Sequence, residues 1–485
     1  MAVTVDSRAD FTLEALRRVT VDGEGVVVGD AAHRTMARAR AGFEELLDSD
    51  PEASVYGVTT RPGVEVATPV PPDERASYAR SFRGTPRGFG RCHLDDRVVR
   101  GIVFARLCDF VAGAAKVRPV LAERVASLLG HPMPAVPLDG QEGAGEILPM
   151  MHVMAGVPAD DLVEGEGMAL VNGSPCSAAL VGDTALHARN RLELAESVFA
   201  LAIEGLRAPL EAYDEALASL WGDDDEAAAL RALGQHLEGA DPGGRLAHQA
   251  PVSYRILPRV VGQAHHQVGT VERVAGTSLA SVTGNPVYLA PDGDHPLGRV
   301  LSAGGYHNAA ATSALSALCA VWADLALLAH RQVLAMHAEG SGLPHLLAPP
   351  GFRAGASGGA TNLFGWVATG LVEEARAAAA PTLLPATGND PQNDVASPTF
   401  AAYRKERRAA ECLDGVLAIL ALTSSQALFV TGRRPAPPLT RFLAWVRGVF
   451  PPVESQRADQ DLEVARLADL LGRGALTGGL APPPG

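Results

Sequence analysis

The fold class is decided by residues 309–340, which read AAATSALSALCAVWADLALLAHRQVLAMHAEG. Apolar side chains recur along this stretch at helical spacing, and no proline or glycine interrupts it before Gly340, so it predicts one long helix. Residues 186–218 and 400–430 show the same apolar periodicity. Helices of this length usually pack side by side. The sequence therefore predicts a mainly α protein built on a long central helical bundle.

The rest of the chain divides into segments of different character. Residues 1–185 contain a short strand at Val26–Val28 and two helices within 95–130, which predicts a smaller N-terminal domain. Residues 186–475 hold the long helices and are predicted to form the bundle domain. The Gly- and Pro-rich end of the chain, residues 476–485, is predicted to be a disordered tail.

Three segments are rich in glycine, proline and small polar residues. Residues 51–90 form a long loop, and a loop of that length inside a compact protein is usually functional or disordered. Residues 139–149 are a Gly-rich segment that leads into a helix. A third stretch, residues 341–398, is predicted to break the helical pattern between two long helices.

The charge of the chain argues against nucleic acid as a partner. The formal net charge is -14, and Lys116 and Lys405 are the only lysines. Proteins that bind nucleic acid cluster lysine and arginine to neutralise phosphates, and the sequence has no such cluster. The acidic run 223–226 is interpreted as a solvated helix start rather than a metal site, because a metal would need ligands that converge from elsewhere.

The cysteine pattern and the N-terminus favour a cytoplasmic protein. The five cysteines are widely spaced and form no CxxC pair, so neither a disulfide framework nor a zinc site is predicted. Adjacent histidines 265 and 266 point in different directions on a helix and would not chelate one metal ion together. The N-terminus lacks the apolar core of a signal peptide. No uncharged apolar run reaches about 18 residues, so no membrane span is predicted.

Several short segments follow one another in an order that matches a known enzyme family. They are Tyr56-Gly57-Val58, Gly113-Ala114-Ala115-Lys116-Val117-Arg118-Pro119, Leu170-Val171-Asn172-Gly173, Gln249-Ala250-Pro251-Val252-Ser253-Tyr254-Arg255, Thr283-Gly284-Asn285-Pro286, Gly304-Gly305-Tyr306-His307 and Gln392-Asn393-Asp394. Each is weak alone, but together they resemble the aromatic amino acid lyase family of histidine and phenylalanine ammonia-lyases. The resemblance implies the aspartase-like helical fold of that family, a homotetramer, and active sites formed by more than one subunit.

One departure from the family concerns its cofactor, methylidene-imidazolone, which forms from an Ala-Ser-Gly triplet whose serine loses water. Aligned on Pro149, the corresponding triplet here is Gly143-Ala144-Gly145. Ala144 stands at the serine position, and alanine has no leaving group on its β-carbon. We therefore expect no methylidene-imidazolone at this place. An intact Ala356-Ser357-Gly358 triplet lies elsewhere and is interpreted as a glycine-rich turn.

The resemblance also implies roles for the residues that are retained. Tyr56 matches the family's catalytic base, although a phenol with a pKa of about 10 needs favourable neighbours to act at neutral pH. Arg255 matches the arginine whose planar fork binds the substrate carboxylate, and Asn172 matches the asparagine that supports it. Each has a structural alternative: a packed loop aromatic for Tyr56, an ion-pair partner for Arg255, and a simple Asn-Gly turn for Asn172.

Other positions predict a rebuilt pocket. The pocket that contains Tyr56 is expected to be lined also by Tyr306, Gln392 and His307. Its apolar and aromatic walls are expected to come from Val252, Tyr254 and Tyr306. Val252 and Asn393 stand where the family has a tyrosine and a glutamate near the substrate's amino group. The loss of a hydroxyl and an acid removes groups that could bind an ammonium, while the groups that bind a carboxylate are retained.

These observations support three functional hypotheses. The first is an enzyme that works without the electrophile, by acid-base elimination or by intramolecular addition and ring closure on a small carboxylate-bearing, amino-acid-derived substrate, in a biosynthetic pathway such as natural-product synthesis. The second is a non-catalytic homologue that binds a small acid or acts as a scaffold. The third is an ordinary aromatic amino acid ammonia-lyase whose electrophile forms at Ser357.

Overall fold

The structure, a computed structural model, describes residues 2–81, 86–246, 249–352, 360–385, 390–455 and 459–477. The Ala-Ser-Gly triplet that contains Ser357 lies outside these ranges. Of the predicted tail, residues 476–477 end the last helix and residues 478–485 lie outside the described residues.

Helices make up most of the described chain, as the sequence predicts. Those of the first 171 residues are α1 (Leu13–Thr20), α2 (Asp30–Ser49), α3 (Arg75–Ser81), α4 (Asp96–Val111), α5 (Pro119–Ser127), α6 (Ile147–Val153) and α7 (Glu166–Val171). Those that follow are α8 (Pro175–Leu206), α9 (Ala216–Trp221), α10 (Asp224–His236), α11 (Val252–Arg255), α12 (Leu257–Leu279), α13 (Ala309–His337), α14 (Phe364–Ala378), α15 (Thr399–Val430), α16 (Thr440–Val449) and α17 (Gln460–Thr477).

Short strands pair at two places. Strand β1 (Val3–Val5) runs parallel to β2 (Val26–Val28), with Val3 opposite Val26, which confirms the strand predicted at 26–28. Strand β3 (Val287–Leu289) runs antiparallel to β4 (Arg299–Leu301). The Thr-Gly-Asn-Pro segment, residues 283–286, leads directly into β3.

The long helices confirm the sequence pattern, with corrections at their ends. Helices α13 and α15 coincide closely with the predicted stretches. The helix predicted over 186–218 instead begins at Pro175 and ends at Leu206. Arg207 takes a left-handed φ of 57°, and Pro209 lacks the N–H that a continuing helix would need. The predicted break at 341–398 was too wide, because it contains α14, whose second half is rich in Glu and Ala, residues that favour a helix.

Two of the long helices are apolar enough to cross a membrane by length and composition alone. They are α13 and α15, and the most apolar windows of these helices are 67% and 83% buried inside the protein. Burial of that extent is what the core helices of a helical protein show.

The chain forms two compact units. Unit 1 contains residues 1–185, 271–315 and 382–404, and unit 2 contains residues 186–270, 316–381 and 405–485. Several chain segments return to each unit, so the units interleave along the sequence. The division into an N-terminal domain, residues 1–185, and a bundle domain, residues 186–475, stays a prediction.

Candidate functional site

The loop that carries Tyr56 is fixed by its neighbours on both sides. Val55 and Val58 are buried in a hydrophobic cluster with Phe43 of α2. The Thr59 hydroxyl accepts a hydrogen bond from the Val55 amide at 2.7 Å and donates one to the Ala53 carbonyl at 2.6 Å. Buried apolar contacts and satisfied polar groups therefore hold this part of the 51–90 loop in one conformation.

The Tyr56 phenol is half-buried and points to a turn of the same loop. Its oxygen accepts a hydrogen bond from the Gly63 amide at 3.0 Å, and Gly63 has the left-handed φ of 62° that favours glycine. Burial raises the pKa of Tyr56, the Gly63 donor lowers it, and Tyr306 and Asp390 raise it further. Within one chain, the phenol is therefore protonated near neutral pH.

The triplet Gly143-Ala144-Gly145 forms the floor beneath Tyr56. Gly145 has a φ of 68°, and its carbonyl accepts a hydrogen bond from the Gly173 amide at 3.1 Å. A β-carbon at Gly145 would lie 2.8 Å from Asn172 Nδ2, a distance at which the two atoms would clash. Glycine is therefore required here, and it lets the backbone of the floor approach the Asn172 side chain closely.

Glu146 fastens this floor to the start of α8. It is buried, with a left-handed φ of 55°. Its carboxylate accepts hydrogen bonds from the amides of Cys176 at 2.6 Å and Ser177 at 2.9 Å, and from the Ser177 hydroxyl. Burial raises the pKa of Glu146 to about 7, although these donors act in the opposite direction. An acid at the first turn of a long helix also complements the helix dipole.

Arg106 holds the backbone of Asn172 in place. Its guanidinium is buried in α4, donates a hydrogen bond to the Asn172 carbonyl at 2.6 Å and pairs with Asp109. Asp109 in turn accepts a hydrogen bond from the Thr283 amide at 2.8 Å. Burial lowers the pKa of Arg106 to about 10. One buried ion pair therefore holds both Asn172 and the segment that leads to Asn285.

Glu146 and Arg106 escaped prediction for the same reason. Each is a charged residue whose partner lies far away in sequence or comes from backbone amides. The sequence did contain one sign. Pro175 is a residue typical of a helix start, and the first amides of a long helix need acceptors such as an acid.

Above this floor lies a cavity of about 460 Å³ within unit 1. Its lining contains the predicted site residues Tyr56, Asn172, Tyr306, Gln392 and Asn393, and the floor residues Ala144 and Gly145. The other residues that line it are Ser54, Thr60, Val66, Ile147, Asn285, Ser302, Ala303 and Gly304. The sequence motifs thus converge in space, and the predictions missed Asn285 and Ser302.

Arg255 and Val252 are not among the described residues that line this cavity. Both belong to unit 2, where Arg255 lines a separate cavity of about 770 Å³ with Glu211 and Gln249. Arg255 Nε donates a hydrogen bond to the Ala250 carbonyl at 3.0 Å, and Val252 is 56% exposed. A guanidinium at the edge of a cavity remains able to bind a carboxylate.

Two aromatic or imidazole side chains also lie elsewhere than expected. Tyr254, predicted to form an aromatic pocket wall, is fully buried, and its hydroxyl donates to the Gln332 carbonyl at 3.4 Å. His307, expected beside Tyr306, is not among the described residues that line the Tyr56 cavity. Of the three predicted aromatic or apolar wall residues, only Tyr306 lines this cavity.

The residues considered as metal ligands have structural roles. Asp223 caps α10 by accepting a hydrogen bond from the Glu226 amide at 2.9 Å. His265 contacts Glu196 at 2.7 Å and His266 contacts Asp225 at 3.0 Å. Over the described part of the chain, no three histidine, cysteine or acidic side chains gather as a metal site would require.

Comparison with known proteins identifies the family. A family model described as aromatic amino acid lyase matches residues 11–160 and 154–448. The chain is 28% identical to a histidine ammonia-lyase of Symbiobacterium thermophilum over 97% of each protein. It is 27% identical to an MIO-dependent tyrosine 2,3-aminomutase of Streptomyces globisporus, over 97% of this chain and 95% of the aminomutase. A solved phenylalanine aminomutase of Pantoea agglomerans superimposes with a TM-score of 0.87 at 18% identity, over 97% of this chain and 99% of that one.

The chain therefore belongs to the aromatic amino acid lyase family, and the likeness to solved structures confirms the predicted helical fold. The relatives are named as enzymes, ammonia-lyases and aminomutases. Methylidene-imidazolone, on which the aminomutase relative depends by name, does not fit the residues predicted to form it. Ala144, which the alignment on Pro149 predicts at the serine position, lines the cavity, and its methyl group cannot lose water.

Proposed function

We propose that this protein is an enzyme that performs acid-base elimination or intramolecular addition, including ring closure, on a small carboxylate-bearing substrate derived from an amino acid, without methylidene-imidazolone. The observation that carries the proposal is the Tyr56 cavity itself. It retains the candidate base and Asn172 above a floor in which Ala144 replaces the serine. A biosynthetic pathway is the setting in which such a rebuilt site would be useful.

Each residue has a role in this proposal. Tyr56 removes or returns a proton at a carbon or heteroatom beside the substrate's carbonyl, and Asn172 orients the substrate through its amide. Arg255 binds the carboxylate by a charge-assisted, two-pronged hydrogen bond. Since Arg255 lines a different cavity from Tyr56 within one chain, we propose that the site is completed between subunits of a homotetramer. An added guanidinium near Tyr56 would lower the pKa of the phenol toward a useful range.

A second candidate, an ordinary ammonia-lyase or aminomutase, is favoured by the relatives, since histidine ammonia-lyases and an MIO-dependent aminomutase match most of the chain. It would need an electrophile formed away from Ala144. It predicts that phenylalanine, tyrosine or histidine either releases ammonia or is converted to its β-amino isomer when incubated with the protein. Absence of both products from all three amino acids would exclude this candidate.

The experiment that tests the proposed function is a pair of tyrosine variants. Tyr56→Phe removes only the hydroxyl of the candidate base and should abolish turnover while ligand binding persists. Tyr288→Phe is the matched control, because its hydroxyl donates to the Leu297 carbonyl outside the Tyr56 cavity. Turnover that survives in Tyr56→Phe contradicts the role of base. Ligand binding without turnover in the wild type would support the non-catalytic hypothesis instead.

A further inference from the structure

The lining of the Tyr56 cavity is neutral. Among the described residues that line it there is no aspartate, glutamate, lysine, arginine or histidine, and four side chains are amides: Asn172, Asn285, Gln392 and Asn393. Charged groups near the cavity already form hydrogen bonds within the protein. Asp390, for instance, accepts hydrogen bonds from the Asn393 side chain at 3.0 Å and from two backbone amides at 2.9 Å.

The amides have different hydrogen-bonding capacity left for a ligand. Asn285 is buried, and its oxygen already accepts from the Ser302 hydroxyl at 3.0 Å and the Ala303 amide at 2.9 Å, which leaves its NH₂ group as a donor. Asn393 uses its NH₂ group on Asp390, which leaves its oxygen as an acceptor.

Asn172 supplies an acceptor that the protein itself does not satisfy. The residue is 5% exposed, and its Oδ1 is buried without a hydrogen-bond partner. A buried polar atom of this kind costs free energy until a ligand or water pairs with it. The cavity therefore offers a donor and at least two acceptors, all of them uncharged.

From this neutral lining we infer that the substrate presents an acylated, uncharged nitrogen to the Tyr56 cavity, rather than a free ammonium. The inference rests on the proposed function for the carboxylate and deepens it. An acylated nitrogen has one N–H donor and one carbonyl acceptor, which complement the acceptors and the donor in the wall. An ammonium has donors only. It would face the Asn285 NH₂ group with no carboxylate among the described lining residues to compensate its charge, which is costly in a partly buried site.

The inference also accounts for the two losses noted in the sequence. Asn393 stands where the family has a glutamate, and Val252 where it has a tyrosine. An enzyme whose substrate carries no ammonium has no use for an acid beside it. Acylation also makes the nitrogen a poorer base, so the acid-base chemistry of Tyr56 acts elsewhere on the substrate.

The test is a calorimetric titration of the full-length, purified oligomer with matched trios of acids. One trio is L-phenylalanine, N-acetyl-L-phenylalanine and L-3-phenyllactate, and equivalent trios carry the leucine and histidine side chains. In at least one trio the N-acetyl acid should bind at least about tenfold more tightly than the free amino acid, a difference of about 1.4 kcal/mol. Equal or tighter binding of the free amino acid overturns the inference, and so does the absence of binding in all trios. Tightest binding by the hydroxy acid would overturn the acyl assignment and indicate a hydroxyl.

Two variants at one position keep the test decisive. Asn172→Ala should reduce the preference for the N-acetyl acid about tenfold. Asn172→Asp, which has the same shape but adds a carboxylate, should shift the preference toward the free amino acid. A preference unchanged in both variants would contradict the inference. Arg255→Gln should weaken the binding of all members of a trio alike. If it does not, Arg255 does not bind the carboxylate and that part of the proposed function is wrong. The preference for the N-acetyl acid within a trio still tests the inference about the nitrogen.

Discussion

The two candidate cavities of this chain differ in where their charges lie. The cavity that contains Tyr56 has a neutral lining among the described residues, and the ionisable groups Glu146 and Arg106, which do not line it, are buried and bind backbone groups. The cavity that contains Arg255 has a guanidinium and the carboxyl group of Glu211 in its lining. The first is suited to hold a proton-transfer group and an uncharged part of a ligand, and the second to bind a charged end.

The two cavities therefore suit different parts of a ligand. Buried charges rigidify a wall when every hydrogen bond is satisfied, whereas a charge at a cavity edge stays available for a ligand. Substitutions in the two cavities should therefore have different effects, on turnover in the first and on binding in the second.

The largest effect is expected at Tyr56. Tyr56→Phe should lower kcat about 10²–10⁴-fold, the usual contribution of a positioned acid or base, with little change in ligand affinity. Because the base acts in its ionised form and burial raises the pKa of Tyr56, wild-type turnover should increase with pH. A pH-rate profile and a binding titration measure the two effects. Loss of binding in parallel with turnover would indicate a packing role.

Arg255→Gln should act on binding instead. Loss of charge-assisted hydrogen bonds to a carboxylate costs about 1.5–3 kcal/mol, or about 10–100-fold in affinity. Arg259→Gln is the control, because that arginine is half exposed and pairs with Glu226. Equal weakening by both substitutions would contradict a specific role for Arg255.

Mixed oligomers sharpen this prediction. Subunits that carry Tyr56→Phe and subunits that carry Arg255→Gln, co-expressed with different tags, should together turn over substrate faster than either variant alone when the substrate concentration is too low to saturate Arg255→Gln. The reason is that some sites would combine an intact tyrosine from one chain with an intact arginine from another. No recovery in a purified mixed oligomer would contradict a site shared between chains.

The buried charge beneath the Tyr56 cavity should affect stability. Glu146→Ala leaves the Cys176 and Ser177 amides unpaired and should cost about 2–3 kcal/mol in the free energy of unfolding. Asp223→Ala, which removes an exposed helix cap, should cost about 1 kcal/mol. Chemical denaturation measures both. Equal costs would contradict the role of Glu146 as a buried clamp.

The sign of the Glu146 pH dependence follows from its raised pKa. The folded protein holds this proton up to a pKa of about 7, whereas the unfolded chain releases it near the ordinary glutamate pKa of 4.5. The contribution to stability is therefore present below pH 4.5 and is lost as the pH rises toward 7. Glu146→Gln should lack this loss, and denaturation of both proteins between pH 4.5 and 8 tests it.

A pH dependence of the opposite sign is expected at Lys116, which is buried and donates a hydrogen bond to the Pro286 carbonyl at 2.8 Å. Burial lowers its pKa to about 7, so the stability of the wild type should rise between about pH 7 and 10.5 as the unfolded chain holds protons that the folded protein has lost. Lys116→Met should lack this rise, which is worth about 1.4 kcal/mol for each unit of pKa difference. Lys405→Met is the control, because Lys405 is only partly buried and also donates to a backbone carbonyl, that of Ala380.

The helices that could be predicted are those whose own sequence shows an unbroken apolar pattern. Helices α13 and α15 could be predicted because unbroken apolar periodicity leaves no alternative, whereas α14 was hidden among glycines and prolines on both sides. The end of α8 depends on Pro209 and on a left-handed Arg207, and a wide periodicity window overlooks such a local feature.

The candidate site was predictable only where motifs kept their order. Tyr56, Asn172, Tyr306 and Gln392 meet as the motifs predict. Motif order says nothing about distance within one chain, so the separation of Arg255 from them could not be predicted. Glu146 was missed because its partners are backbone amides, which every sequence has at every position.

The central claim is that the cavity works without the family's electrophile, and the most direct measurement is the intact mass of the purified protein, followed by peptide mapping of residues 130–160 and 345–370. Formation of methylidene-imidazolone removes water and leaves the peptide lighter than its sequence. The account predicts that both peptides have their full sequence mass. A mass deficit that maps to the peptide containing Ser357 would contradict it and would restore the ordinary ammonia-lyase as the function to test.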